Sequence, residues 1–306
     1  MLSQTYTNIE IVIGDDSTNA DTEQLIQPYL KQYPFIRYIN NQQNLGQYDN
    51  DLMLMEAAQG DFVNFLMDDD LFHPQKLEMM VPYLRDHPEL VLVTSHRQGI
   101  DANSNLLDTV GVTIKFVNQP SIFDKETMAK IVFANPFGLT NFNFIGEPTT
   151  ALFRKKSLNV PFGSFAGRNY GSNVDLATWF SLLLEGNGFY LTETLSYFRI
   201  HQGQQMNNSK LGLLNVTDHA HSLITTPQHG FIEMFSNDYE LALRRYFDHL
   251  RLDLLNKTQD IASLVNASTD DTMRAVLLEL DKFTRELVGS FGETYNRIFN
   301  GIILQK

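Results

Sequence analysis

Over about the first 95 residues, short apolar runs alternate with helical stretches, and this rhythm constrains the fold more than any other feature of the chain. Ile9 to Ile13 reads as a buried strand, Gly14-Asp15-Asp16-Ser17 as a polar turn, and a helix starts near Asp21 with Gln24 placed to complete a capping box. The unit recurs as a strand from Ile36 to Ile39, a helix around Tyr48 to Ala58, a strand from Phe62 to Met67 and a helix beginning near Pro74. Proline suits a first helical turn, where the N–H it lacks would have no partner, and Leu77, Met80, Val81 and Leu84 continue at helical spacing. A further strand runs from Leu90 to Thr94. Strands and helices alternating at this pitch predict a parallel, doubly wound α/β sheet, with ligands beyond the carboxyl ends of the strands. Asp15, Asp16 and the run Asp68-Asp69-Asp70 all fall at such ends.

After residue 95 the rhythm breaks. Gly99 to Gly111 reads as a hairpin or excursion, and Asn135 to Glu147, rich in Asn, Gly and Phe, as an insertion. Thr149 to Phe153 reads as a strand, Val174 to Glu185 as a helix with Trp179, Phe180 and Leu182 to Leu184 on its core face, and Leu195 to Ile200 as a last strand. From about residue 215 the pattern becomes helical, and Met273, Val276, Leu277, Leu280 and Leu287 form an apolar stripe after the cap candidates Ser268 and Thr269. A boundary is expected near residues 205 to 220, separating an α/β domain (1–210) from a helical C-terminal region (211–306).

Composition narrows the chemistry. With 43% apolar residues, 22 Phe and 12 Tyr among 306 residues, the chain can pack a large core; with no Cys it has no thiolate or disulfide chemistry and suits a reducing compartment. A net charge of -13 argues against a nucleic-acid partner, whose phosphates demand Lys and Arg clusters. It leaves open a phosphate site organised by a bound cation. The first residues carry no secretory signal and no apolar run is long enough to span a bilayer, so the expectation is a cytoplasmic protein, soluble or membrane-peripheral.

Three adjacent carboxylates after the apolar run Phe62 to Met67 repel one another unless one is protonated or a cation intervenes. Mg2+ or Mn2+ held by one or two carboxylates, with other ligands from a diphosphate and water, is what such a loop can offer. A solvated loop favouring the next helix N-terminus accounts for the run equally well by itself. The Gly and terminal Glu of an EF-hand are absent. Asp15-Asp16-Ser17 alone is explained by a capping turn. His219, His221 and His229 lack an accompanying carboxylate framework and read as surface residues.

Together, Gln4-Thr5-Tyr6-Thr7-Asn8-Ile9-Glu10, Gly14-Asp15-Asp16-Ser17, Asn44-Leu45-Gly46, Gly60-Asp61-Phe62 and Asp68-Asp69-Asp70 to Glu78 resemble family 2 glycosyltransferases in order and spacing. The resemblance continues through Gly146-Glu147-Pro148-Thr149, Phe153-Arg154, Asp175-Leu176 and Tyr197-Phe198-Arg199-Ile200-His201, covering roughly residues 3 to 205. It implies a GT-A fold, Rossmann-like with a doubly wound mixed sheet, and inverting transfer of a sugar from a nucleotide sugar, UDP-linked in the commonest case, to a hydroxyl of a glycan, lipid-linked or protein acceptor. It also implies roles. Asp16 lies where the family reads the nucleotide base, with Asp15 beside it, and Asn44, Asp68 near the ribose, Glu147 and the phosphate-clamping Arg199 complete the nucleotide-sugar set. Asp69 ligates Mg2+ or Mn2+, with Asp70 supporting the loop in the same metal set and His201 on the metal or the phosphate. Asp175 aligns with the catalytic base. The C-terminal helices are expected to serve oligomerisation, acceptor recognition or peripheral membrane attachment.

The chain departs from the family pattern at three places. Met67 stands where the commonest pattern has its first metal-loop aspartate, and Asn173 where an acidic residue often precedes the base. The family opens with a strand and a helix before the Gln-Thr-Tyr segment, so about one strand and one helix are expected to be missing here. These departures prompt a second reading, a catalytically silent GT-A binding or scaffolding module. A nucleotidyltransferase is a third, although its Gly-rich phosphate loop is not seen.

Overall fold

A computed structural model describes residues 1–108, 113–134 and 143–201, together with positions 215, 218, 219, 221, 222, 225, 229, 278 and 282. The helical stripe from Met273 to Leu287 and most of the Asn-, Gly- and Phe-rich insertion lie outside these residues. The chain divides into two compact units: residues 1–124, 144–164 and 175–201 form the first, while residues 125–134, 165–174 and the described positions between 215 and 229 belong to the second.

The first unit opens as the sequence rhythm predicts. Strand β1 (Ile11–Asp15) is followed by α1 (Asp21–Gln32), β2 (Ile36–Asn40), α2 (Gln47–Ala57), β3 (Phe62–Val63), β4 (Leu71–Phe72), α3 (Lys76–Asp86) and β5 (Leu90–Ile100). Further along the chain come β6 (Ser121–Phe123), α4 (Lys125–Ala129), β7 (Leu152–Arg154), a small hairpin of β8 (Ser164–Phe165) and β9 (Arg168–Asn169), α5 (Val174–Leu183) and β10 (Asn187–Arg199), of which α4 and β9 belong to the second unit. Two strand pairs are parallel, β1 with β2 and β5 with β10. The order β3-β7-β5-β10-β4 is otherwise antiparallel, with β6 also antiparallel on β10, so the sheet is mixed rather than parallel throughout.

Several local expectations are corrected. The strand expected over Phe62 to Met67 pairs only at Phe62 and Val63, because Asn64 Nδ2 reaches the carbonyls of Phe65, Pro148 and Thr149 at 2.9–3.1 Å and the Met67 N–H donates to Thr149 Oγ1. Side chains have replaced the ladder there, which frees the following acidic run to turn. Pro74 lies in the turn before α3, whereas Pro82 sits inside it. The capping box at Gln24 does not form; Asn19 Oδ1 accepts the Asp21 N–H at 2.9 Å instead. The last strand begins at Asn187, eight residues before its expected start at Leu195, because its first half pairs with β5 from Leu90 onward.

The core follows from helical spacing against strand alternation. Leu77, Met80, Val81 and Leu84 of α3 pack on Leu90 and Val93 of β5, Leu152 of β7, and Leu191 and Leu195 of β10. Removing such apolar area from water contributes about 25 cal/mol per Å2, so this layer anchors the sheet. Trp179 and Phe180 of α5 are fully buried, as their place on a core face predicts, while Leu184 just past the helix is partly exposed. In the second unit His219 and His221 are buried, against the expectation of surface residues, and burial pushes both down to about 4. The reason is their company: His221 Nδ1 pairs with the buried Tyr170 hydroxyl at 2.9 Å, and Asp218 beside them is wholly enclosed.

Candidate active site

At the end of β1, Asp15 is 5% exposed, with Oδ1 accepting the Ser17 N–H at 2.9 Å and Oδ2 the Tyr38 hydroxyl at 2.5 Å. Burial opposes its charge, yet these donors outweigh that cost and hold the carboxyl below its usual value, while burial and Asp15 push Tyr38 up to about 12. The next carboxylate organises the turn before α2. Asp16 Oδ1 accepts Leu45 N–H at 2.6 Å and Asn41 Nδ2 at 3.2 Å, Oδ2 accepts Gly46 N–H at 2.8 Å, and Asn44 Nδ2 returns a bond to the Asp16 carbonyl at 2.8 Å. Gly46 holds φ 81, a left-handed conformation that glycine adopts without steric cost. The Leu45 N–H, with the Asn41 and Gly46 donors, keeps Asp16 ionised below its ordinary range. Asp16 and Asn44 are thus one hydrogen-bonded group, joined to Asp15 through Asn41, whose N–H donates to the Asp15 carbonyl at 3.1 Å.

The acidic run forms a second group, graded by burial. Asp68 is exposed. Asp69 Oδ2 lies 3.2 Å from His201 Nε2, with 31% and 33% of the two side chains exposed. Asp70 is 5% exposed; its Oδ1 accepts the Arg199 backbone N–H at 3.0 Å, and burial pushes it up to about 6. Arg199 joins the group through its guanidinium, in which Nε donates to the Asp69 carbonyl at 2.6 Å, Nη1 to the Asp101 carbonyl at 2.6 Å and Nη2 to Ser104 Oγ at 3.1 Å. It therefore fastens the acidic loop to the turn after β5. Antiparallel pairing of Tyr197 with Leu71 and Ser196 with Phe72 sets this register.

Glu147 belongs to a layer of buried charges. Its Oε2 lies 3.1 Å from Arg97 Nε, its Oε1 accepts the Thr150 hydroxyl at 2.7 Å, and the Thr150 carbonyl accepts the Lys76 ammonium at 2.7 Å. Lys76 is completely buried, and burial pulls it down to about 7 against the raising effect of Glu147. Glu147 also acts electrostatically on Asp70, so the layer is coupled to the acidic loop. Asp175 opens α5, half-buried, with Oδ1 accepting the Leu176 N–H at 2.8 Å.

A hard divalent cation bound beside a diphosphate needs only one or two protein ligands. The Asp69 carboxylate and His201 imidazole, close together and both reachable by solvent, suit that need. Among the described residues no set of three or more His, Cys, Asp or Glu could enclose a metal by itself. Sequence reading missed Tyr38, Arg97, Lys76, Asp101 and Ser104. Only Lys76 lies within a motif, the stretch from Asp68 to Glu78, and the partners of all five lie from 23 to 98 residues away along the chain, as for Tyr38 with Asp15 and Arg199 with Asp101.

Comparison with known proteins bears on the family and the fold. The profile of Glycosyl transferase family 2 matches residues 1–160. An uncharacterized glycosyltransferase of Rickettsia bellii is 25% identical over 223 residues, 72% of this chain and 29% of its own. TuaG of Bacillus subtilis, named for teichuronic acid biosynthesis, is 26% identical over 211 residues, 68% of this chain and 72% of its own. Escherichia coli chondroitin synthase is 28% identical over 106 residues, 35% of this chain and 15% of its own. Against the Rickettsia and Escherichia relatives this chain therefore spans less than a third of their length. Among solved structures, S. aureus TarS residues 1–349 superposes with a TM-score of 0.50 at 13% identity, covering 96% of this chain and 85% of that one. The fold is α/β of GT-A type.

Proposed function

Because the chain belongs to glycosyl transferase family 2, we propose that it moves a sugar from a nucleotide sugar, with UDP as the nucleotide, to an acceptor hydroxyl with inversion at the anomeric carbon. The carrying observation is the pairing of Asp69 with His201 at 3.2 Å, braced through Arg199. Asp69 and His201 would hold Mg2+ or Mn2+, and such a cation when bound supplies positive charge that stabilises the diphosphate leaving group. Asp70 supports the loop from beneath by its bond to the Arg199 backbone. The Asp15, Asp16 and Asn44 group shapes the base pocket, while Asp68 faces the ribose and Glu147, held by Arg97, sits behind the donor site.

Asp175 is the base. As the acceptor oxygen bonds to the anomeric carbon and the bond to the diphosphate breaks, the acceptor proton passes to its carboxylate. The acceptor is a glycan, lipid-linked or protein hydroxyl, and residues beyond about 210 serve acceptor recognition, oligomerisation or peripheral attachment. Among the described residues no helix is long and apolar enough to cross a membrane, so bilayer contact would be peripheral for this part of the chain.

The test is a donor screen: UDP, GDP and dTDP sugars with Mn2+ or Mg2+, read by thermal stabilisation and by release of nucleoside diphosphate. The expected result is metal-dependent stabilisation by UDP sugars with UDP release. Pyrophosphate release would indicate nucleotidyl transfer, and stabilisation without any turnover would favour a silent binding module.

A further inference from the structure

The segment leading into α5 is Gly171-Ser172-Asn173, a stretch whose side chains are too small and polar to anchor it in a core. It is anchored by a carboxylate from 45 residues downstream. Asp218 is 0% exposed, and its Oδ2 accepts three consecutive backbone N–H groups, from Gly171 at 3.1 Å, Ser172 at 2.8 Å and Asn173 at 3.1 Å. Its Oδ1 faces Arg168 Nη2 at 3.3 Å. Neighbouring contacts hold the same segment: Asn173 Nδ2 donates to the Asn215 carbonyl at 3.3 Å, Asn215 Nδ2 donates to Asn173 Oδ1 at 3.1 Å, and Tyr170 pairs with His221.

Burying a carboxylate costs several kcal/mol before its partners are counted, so an ion pair with Arg168 alone would be a poor source of stability. Three amides converging on one oxygen do something an ion pair does not, since they set the backbone of three adjacent residues at once. Two residues further along the chain stands Asp175.

We infer that Asp218 is a positioning residue, which gathers the amides of residues 171–173 and so fixes the loop that presents Asp175 to the acceptor. The inference rests on the reading of Asp175 as the base. A reacting group displaced by about 1 Å loses on the order of a hundredfold in rate, which sets the scale of the effect.

The experiment compares Asp218→Ala, Asp218→Asn, Arg168→Lys and Asp175→Asn in the full chain. It follows UDP release from the UDP sugar chosen by the donor screen, with water as acceptor, alongside the thermal midpoint and amide deuterium exchange over residues 168–176. Asp218→Ala should lower kcat about a hundredfold with donor KM within about twofold, and should speed exchange at residues 171–173. Asp218→Asn, whose amide oxygen can still accept these N–H groups, should recover part of the loss, and Arg168→Lys should keep kcat. If Asp218→Ala does not fold, Asp218→Glu, which keeps the charge but shifts it by a methylene, supplies the same comparison.

Unchanged kcat despite faster exchange would overturn the inference. So would a loss of kcat, donor binding and thermal midpoint in step across the Asp218 and Arg168 variants, which marks a general structural role. An active Asp175→Asn would remove the base reading and the inference together, whereas an inactive Asp175→Asn beside a fully active Asp218→Ala would sink the inference alone.

Discussion

Three adjacent aspartates carry three environments. Asp68 is exposed, Asp69 is shared between solvent and His201, and Asp70 is enclosed, so only the middle one combines access with a neighbouring imidazole. Asp69→Ala should therefore abolish metal-dependent stabilisation by a UDP sugar, and His201→Ala should weaken it by about 10- to 100-fold, as loss of one ligand or its support does; calorimetric titration with Mn2+ and UDP checks this. Arg199→Lys tests the brace. A lysine offers a point charge where the guanidinium spans the Asp69 carbonyl, the Asp101 carbonyl and Ser104, so kcat should fall on the order of a hundredfold even though the charge is kept. The aspartates and His201 were legible because their order and spacing form motifs. Tyr38, Lys76 and Arg97 were not, since each is defined by a partner that only folding brings near.

Among the elements, α2 and the turn before β7 carry the clearest consequences. Asp51 of α2 is 7% exposed, and burial pushes its carboxyl up to about 7. A folded-state value above the unfolded one means its favourable contribution is complete below about pH 4 and is lost as pH rises to about 7, a loss of at most roughly 4 kcal/mol. Asp51→Asn removes this loss, so its unfolding midpoint should exceed that of the parent at pH 8, with the gap shrinking toward pH 4. At the turn, Gly146 holds φ 96, and a Cβ there would strike Arg97 Nη1 and approach Thr150 Oγ1 to 2.7 Å, while its carbonyl accepts Trp179 Nε1 at 2.8 Å. Gly146→Ala should cost more than about 2 kcal/mol by denaturant unfolding, through backbone strain and displacement of the charged layer. Helix α3 was legible from its apolar spacing, and α2 from the strand–helix rhythm that contains it. The strand over Phe62 to Met67 was overread because an apolar run does not reveal that Asn64 will take over its hydrogen bonds.

At the scale of the molecule, a net charge of -13 would repel the anionic donor of the proposed reaction, and a bound cation would act as the local bridge. Removing divalent metal with EDTA should abolish stabilisation by a UDP sugar, and adding Mn2+ should restore about 2.7 kcal/mol at a hundredfold excess over Kd; thermal melts with and without metal decide this. The sequence alone determined the α/β class and the places of the acidic motifs, because periodicity and local spacing are properties of neighbouring residues, and the resemblance those motifs carry pointed to the family that the profile match shows. Tertiary structure decided the mixed strand order, the graded burial of Asp68, Asp69 and Asp70, the joining of Arg199 to the turn after β5, and the enclosure of Asp218 with His219 and His221. Those outcomes depend on which distant groups meet and how much water they lose, and neither quantity is written in the order of residues along the chain.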